Sequence, residues 1–291
     1  MMNTNDFDFR EEKNKIENGV LYLVATPIGN MSDISDRALK VLEGVDRVAA
    51  EDTRNSGKLL SYYGIKQNYI SYHEHNKAEV GKKIVELLKD GNSIALITDA
   101  GMPAISDPGE DLVRLCADND IKVTCVTGAC ALTTALVLSG LNTRRFSFEG
   151  FLSANNSERK SFLEKIKDDD RTLIFYEAPH KLKTTLSDML AILGDRKIAL
   201  CRELTKLNEE ICRTTILGAV EIYNNKEPRG EYVLVVEGNS VNLDNDWSSL
   251  SVSEHIDFYI NNFGISKMDA IKKVAKDRGV SKGEIYKLTI N

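Results

Sequence analysis

The sequence predicts an α/β protein built on largely buried sheets, and three observations carry that prediction. Short apolar runs of strand length recur along the chain. Most are separated by segments whose apolar residues return at helical spacing, the alternation expected of sheets covered by helices. Several runs end in loops rich in glycine and proline, the form a strand exit takes when the chain turns sharply.

Residues 1–18 are polar and charged, with Phe7 and Phe9 isolated, and are expected to form a flexible tail without the apolar stretch of a signal peptide. Strands are then predicted at Val20–Ala25, Val45–Ala50, Tyr69–Tyr72, Ser93–Thr98 and Lys122–Val126. A second set follows at Arg171–Tyr176, Lys197–Cys201 and Glu231–Val236. Ile84, Leu87 and Leu88, and later Leu182, Leu186 and Leu190, fall on single helix faces. A seam at Thr127–Ala131 divides the chain into an α/β domain over 19–127 and another over 128–240.

Residues 241–291 change character and predict a small helix-turn-helix-like domain. A helix is expected from Ser253 to Phe263, closed by Gly264. Ser266 and Asp269 then resemble a capping box, and Gly279 offers a left-handed helix end. Ser281 and Glu284 repeat the capping pattern at once, so helix, short turn and helix are spelled out. From Ser266 to Asn291 seven Lys and Arg stand against three Asp and Glu, a local excess that suits a phosphate-facing module or a merely soluble helical cap.

Composition bounds the function. The formal charge of −6 argues against indiscriminate nucleic-acid binding, while leaving room for a local basic face. No apolar run approaches the length of a membrane span. Cys116, Cys125, Cys130, Cys201 and Cys212 show no C-x-x-C spacing, which fits a reduced, cytoplasmic protein. Neither a P-loop nor a G-x-G-x-x-G fingerprint is present, so those nucleotide sites are poorly supported.

Three strand exits point to a pocket: Thr26-Pro27-Ile28-Gly29-Asn30, Thr98 to Gly109, and Thr127-Gly128-Ala129-Cys130-Ala131. In open α/β sheets ligands bind outside the carboxyl ends of strands. There Gly101 lets a ligand approach the backbone, and Pro103 and Pro108 stiffen the loop around it. His73 and His75, two apart in an expected strand, offer a different reading, a metal shared with Asp52, Asp99 or Asp107.

Eight motifs extend the argument: A-T-P-I-G-N (25–30), A-E-D-T-R (50–54), H-E-H-N (73–76), T-D-A-G-M-P-A-I-S-D-P-G (98–109), F-E-G-F-L (148–152), F-Y-E-A-P-H (175–180), R-E-L-T-K (202–206) and G-E-Y-V-L-V-V-E-G (230–238). In this order they resemble the ribosomal small-subunit RNA methyltransferase I family, of the tetrapyrrole-methylase-like, class III S-adenosylmethionine-dependent methyltransferases. The resemblance implies two α/β domains of tetrapyrrole-methylase type with an interdomain cleft, plus the C-terminal helices. It further implies a homodimer, no metal, and methylation of the ribose 2′-hydroxyl of a cytidine in the decoding region of 16S rRNA. Carried over by position, the S-adenosylmethionine contacts are Pro27, Asp99, Gly101, Met102, Ile105, Ser106, Gly128, Ala129, Cys130, Ala131, Tyr176, Leu204 and Glu231. Thr98, Met102, Thr127, Asn142 and Ser153 depart from the family pattern without removing a charge.

Methyl transfer to a hydroxyl needs the oxygen in line with the methyl, about 3 Å away, and a group to take its proton. Glu51, Asp52 and His75 are the expected acceptors, and Arg54 the expected phosphate clamp, unless Arg54 is spent in an ion pair with Glu51 or Asp52. A methylase of a small tetrapyrrole precursor and a metal-dependent hydrolase are the competing readings.

Overall fold

The computed structural model describes residues 15–239 and 250–289. They fall into two compact units, divided between Asn239 and Ser240.

The first unit holds two sheets. The first contains β1 (Leu21–Val24), β2 (Arg47–Ala50), β3 (Tyr69–Ser71), β4 (Ile94–Ile97) and β5 (Val123–Val126), in the order β3-β2-β4-β1-β5, with every pairing parallel. Successive side chains of a strand point to opposite faces, and here both faces are covered. Tyr22, Val24, Val48 and Ala50 pack with Ala38, Val41 and Leu42 of α1 (Asp36–Gly44) and Leu60 of α2 (Thr53–Tyr62). Leu21, Ala49, Ile94 and Leu96 pack with Ile84, Val85 and Leu88 of α3 (Lys77–Lys89) and Leu112 of α4 (Glu110–Ala117). Double burial is why the inner strands β1, β2 and β4 read as nearly unbroken apolar runs, while the edges β3 and β5 are only partly buried.

The second sheet is mixed: β6 (Phe146–Phe151), β7 (Thr172–Glu177), β8 (Lys197–Arg202), β9 (Glu210–Thr215) and β10 (Tyr232–Val236), ordered β6-β7-β10-β8-β9. Only β6 and β7 run parallel; the other neighbours are antiparallel. One face packs on α6 (Asn156–Ile166), α7 (Pro179–Leu193) and α8 (Ile216–Asn224). The other receives Leu132, Ala135 and Leu136 of α5 (Ala131–Ser139), together with Ile28 from the β1 exit. The seam expected at Thr127–Ala131 is thus the connection from β5 to α5, and the sheets on either side share one compact unit.

Two elements were not expected. β6 and β9 are the edge strands, and apart from Phe146 and Phe151 at its exposed ends, β6 is only partly buried. Half-covered edges need no continuous apolar run, so F-S-F-E-G-F and E-I-C-R-T-T carry no strong strand signal. The expected tail also ends earlier than residue 18. Residues 1–14 lie outside the described residues, but Ile16 packs on the first core and Glu17 pairs with Lys122 at 2.6 Å.

The second unit contains α9 (Val252–Phe263), α10 (Lys267–Asp277) and α11 (Lys282–Leu288) around Ile256, Tyr259, Ile271, Val274 and Ile285. Its helix ends are locally encoded. Ser251 and Ser281 each form a reciprocal capping box with a glutamate three residues on, and Gly264 closes α9 at φ 60°. Ser266 caps α10 by accepting from the Asp269 N–H, without the reciprocal backbone bond.

Candidate active site

Parallel strands deliver their exits to one end of the first sheet, and two of those exits are stitched together. Thr26 N–H donates to the Gly101 carbonyl at 2.9 Å, and Gly101 N–H to the Thr26 carbonyl at 3.0 Å. The Thr26 hydroxyl donates to the Thr98 carbonyl at 3.1 Å. Gly101 holds φ 85°, and a Cβ there would stand 3.1 Å from a methyl of Ile28. The left-handed conformation favours glycine, and any Cβ there would press on Ile28.

The β1 exit also meets the second half of the unit. Any side chain at Gly29 would collide with the stem of Lys206, and the Asn30 N–H donates to the Thr205 hydroxyl at 3.0 Å. Ala104 (φ 68°) and Ser106 (φ 60°) in one loop, and Glu203 (φ 51°) and Thr205 (φ 65°) in the other, hold left-handed backbone conformations without being glycine. Such conformations cost about 1–3 kcal/mol each and collect at functional sites.

These loops wall a cavity of about 420 Å³, the size of a small-ligand site. Of the expected donor contacts, Gly101, Met102, Ile105, Ser106, Cys130, Ala131, Tyr176, Leu204 and Glu231 line it. Tyr176 is held edge-on by Phe148 and Phe151, with ring centroids 4.8 and 5.5 Å away. Pro27, Asp99, Gly128 and Ala129 do not line the cavity. Gly128 backs onto Ala25, where a Cβ would come within 2.8 Å of the alanine methyl. Asp99 instead accepts from the Asn55 side chain at 2.9 Å, tying α2 to the β4 exit.

The sequence reasoning missed part of the wall. Phe151, Glu177, Glu203, Lys206, Tyr232 and Val233 also line the cavity, as do Ile28 and Asp107 of the strand exits already read as a pocket. Lys206 bridges Glu203 at 3.0 Å and Glu231 at 2.9 Å, while the Glu231 N–H donates to Glu203 at 3.0 Å. That backbone bond, before the lysine, holds the Glu203 carboxyl below its ordinary range. Glu203 and Lys206 sit inside R-E-L-T-K, and Tyr232 and Val233 adjoin Glu231; the motifs were the available signal.

None of the expected catalytic residues Glu51, Asp52, Arg54 and His75 lines the cavity. Asp52 caps α2 by accepting from the Arg54 N–H at 2.9 Å, and its carboxylate grips the Arg54 guanidinium at 2.8 and 3.1 Å. Its carboxyl is thereby held far below the usual range, which makes it a poor proton acceptor. The ion-paired alternative weighed for Arg54 is therefore present, with Asp52 as partner, although the Arg54 side chain is 86% exposed. Glu51 is pushed the other way, first by burial and then by the charge of Asp99. His73 and His75 lie beyond β3, in the turn before α3, and not in a strand. The His73 N–H donates to the Asn76 side chain at 2.9 Å, and the two rings stand 6.0 Å apart. Among the described residues no three His, Cys, Asp or Glu side chains converge as a metal ligand set. No helix among them is long and apolar enough to cross a membrane.

Residues 20–218 match the family model of tetrapyrrole (corrin/porphyrin) methylases. The chain is 48% identical over 275 residues to the ribosomal RNA small subunit methyltransferase I of Halalkalibacterium halodurans, covering 94% of this chain and 95% of that protein. It is 49% identical over 276 residues to the protein of the same name from Bacillus subtilis, covering 94% of each. Among solved structures, uroporphyrin-III-C-methyltransferase from Thermus thermophilus shares the fold at TM-score 0.54 and 18% identity, over 75% of this chain and 94% of that one. Diphthine synthase does so at TM-score 0.56 and 13% identity, over 75% and 89%. Fold, motif order and relatives agree: the chain belongs to the tetrapyrrole methylase family, among the ribosomal RNA small subunit methyltransferases I.

Proposed function

We propose that this protein transfers a methyl group from S-adenosylmethionine to the ribose 2′-hydroxyl of a cytidine in the decoding region of 16S rRNA. One observation carries the reading: glycine-bearing strand exits and the 202–206 loop enclose a nucleoside-sized cavity in a chain nearly half identical to named ribosomal RNA methyltransferases. The cavity fits the donor. Gly101 offers bare backbone, Ile28, Met102 and Leu204 offer apolar walls, and the carboxylates of Asp107 and Glu231 suit a sulfonium cation. When bound, S-adenosylmethionine supplies an electrophilic methyl group on that sulfonium.

This chain's residues do the rest. The Thr26–Gly101 bridge and the Thr205–Asn30 bond fix the wall that orients the donor, and orientation supplies much of the rate. Arg54, exposed and already oriented by Asp52, is placed to meet a phosphate beside the target ribose. The basic helices of the second unit add phosphate affinity, with Lys267, Lys282 and Lys287 on its surface. A homodimer belongs to the same reading; the fully exposed Leu207 and largely exposed Val137 are apolar surface that a second copy would cover.

The test is mass spectrometry of the RNA from small ribosomal subunits lacking the mark, after incubation with the protein and isotopically labelled donor. A labelled 2′-O-methylcytidine is expected. Label on a base, or none on RNA while a tetrapyrrole precursor is methylated, would sink the reading.

A further inference from the structure

Away from the cavity, one face of α2 carries a basic and aromatic stripe. Arg54, Lys58 and Tyr62 recur every four residues, so they stand one above another on one side of the helix, while Ser56 and Leu60 on the other side are buried. All three are exposed, the Arg54 side chain by 86% and Tyr62 by 69%. Among the described residues, Lys58, and Lys66 just past the helix, take neither a hydrogen bond nor an ion pair. In a chain of formal charge −6, no Asp or Glu occurs between Asp52 and Glu74, and Asp52 itself is taken up by Arg54.

Tyr62 completes the stripe with a large ring held in the open. Its neighbour Tyr63 is half-buried, donates its hydroxyl to the Met31 carbonyl at 2.5 Å and meets Tyr62 edge-on at 5.0 Å. The Tyr62 ring is thus braced by a fixed neighbour while most of its surface faces solvent. Asn55 ties the start of α2 to Asp99 of the β4 exit at 2.9 Å, so Arg54 is the end of the stripe nearest the cavity loops and Tyr62 the end farthest from them.

Resting on the proposed transfer to ribosomal RNA, we infer that this stripe is a track for the single-stranded RNA next to the target nucleotide. Arg54 meets the phosphate beside the target ribose, Lys58 meets the next phosphate along, and Tyr62 stacks on an unpaired base. Four residues advance an α-helix by about 6 Å, close to one nucleotide step of an extended strand, so successive positions of the stripe meet successive nucleotides. Lysine binds phosphate as a point charge on a flexible stem, and a tyrosine ring stacks on any base. A duplex hides its base faces, so Tyr62 favours an unpaired strand. A second copy docked face to face would bring like charges together, and an apolar partner would leave Arg54 and Lys58 without a counter-charge.

Methyl transfer to small ribosomal subunits lacking the mark, resolved into kcat and KM, tests the track alongside calorimetric binding of S-adenosylhomocysteine. Tyr62→Ala is expected to raise KM about 5–30-fold, with kcat and product affinity near wild type. Tyr62→Phe keeps the ring and is expected to restore KM; Tyr62→Leu, apolar but without a π-face, is not. Lys58→Ala is expected to raise KM and to flatten its dependence on salt by about one phosphate contact. A benzophenone side chain placed at position 62 is expected to crosslink to RNA under ultraviolet light. The track is overturned by Lys58→Ala with wild-type KM and salt dependence, or by Tyr62→Leu matching wild type. Crosslinking of position 62 to a ribosomal protein or to a second copy of the chain, in place of RNA, overturns it as well. Should the Tyr62 variants fold poorly, Lys58→Ala decides alone. Those outcomes leave the proposed reaction standing, because wild type still methylates RNA; wild type that binds donor but methylates no RNA overturns the proposed reaction, and this inference with it.

Discussion

The two sheets of the first unit contribute to one cavity by different means. The parallel sheet contributes backbone: its strand exits leave from one end, and Gly101 and the Thr26–Gly101 bridge present main chain at a left-handed turn where a side chain would press on Ile28. The mixed sheet contributes side chains: Tyr176 and Val233, paired across β7 and β10, project from one strand face, and the cavity is also lined by the 202–206 loop, whose lysine is held between two glutamates. A parallel sheet can gather loops because all its strands finish on the same edge. An antiparallel one alternates its strand ends, so it builds a wall from faces instead.

The largest effect expected on this comparison lies in the second half. Arg159 on α6 is buried, bonds Asp188 of α7 at 2.7 and 2.8 Å, and donates to the Ser153 and Ala154 carbonyls at 3.0 and 3.2 Å. Arg159→Met leaves Asp188 buried with only Lys160, 3.5 Å away, and should cost about 3–5 kcal/mol in urea unfolding, while product affinity of the folded fraction holds. Equal loss of stability and affinity would show that the helix layer behind the second sheet is part of the site.

Next comes Gly101→Val in the first half. Forcing a β-branched residue to φ 85° against Ile28 should cost about 1–3 kcal/mol and remove binding of S-adenosylhomocysteine altogether. A variant that is destabilised yet binds normally would break the claim that this sheet supplies backbone to the ligand.

The smallest expected change in stability belongs to Arg54→Ala, because its ion pair is exposed. The thermal midpoint should barely move, donor affinity should hold, and RNA binding should weaken with a shallower dependence on salt. An unchanged salt slope would mean that Arg54 serves only Asp52.

Legibility in the sequence followed burial. All five strands of the parallel sheet were read: β1, β2 and β4 because strands covered on both faces must be apolar throughout, and the partly buried edges β3 and β5 because they still carry apolar or aromatic residues of strand type. β6 and β9, half-covered at the sheet edges, were missed. The helix ends of the second unit were legible for another reason: a serine and the acid three residues on settle the cap within one turn. Among the site residues, Leu204 and Glu231 were named from their motifs, while Glu203, Lys206, Tyr232 and Val233 of the same motifs were recognised only when the second sheet brought them to the cavity.

By itself, then, the sequence determined the elements, the strand exits and the family, since each rests on residues close together in the chain or on motifs in order. The tertiary structure decided which carboxylate is engaged. Glu51, Asp52, Asp99 and Asp107 are equivalent as letters. Their difference comes from Arg54 turning back on Asp52, Asn55 reaching Asp99, and burial leaving Glu51 and Asp107 unpaired side by side. Proton affinity is set by what surrounds a group in space, and three of these four surroundings are assembled from different strand exits.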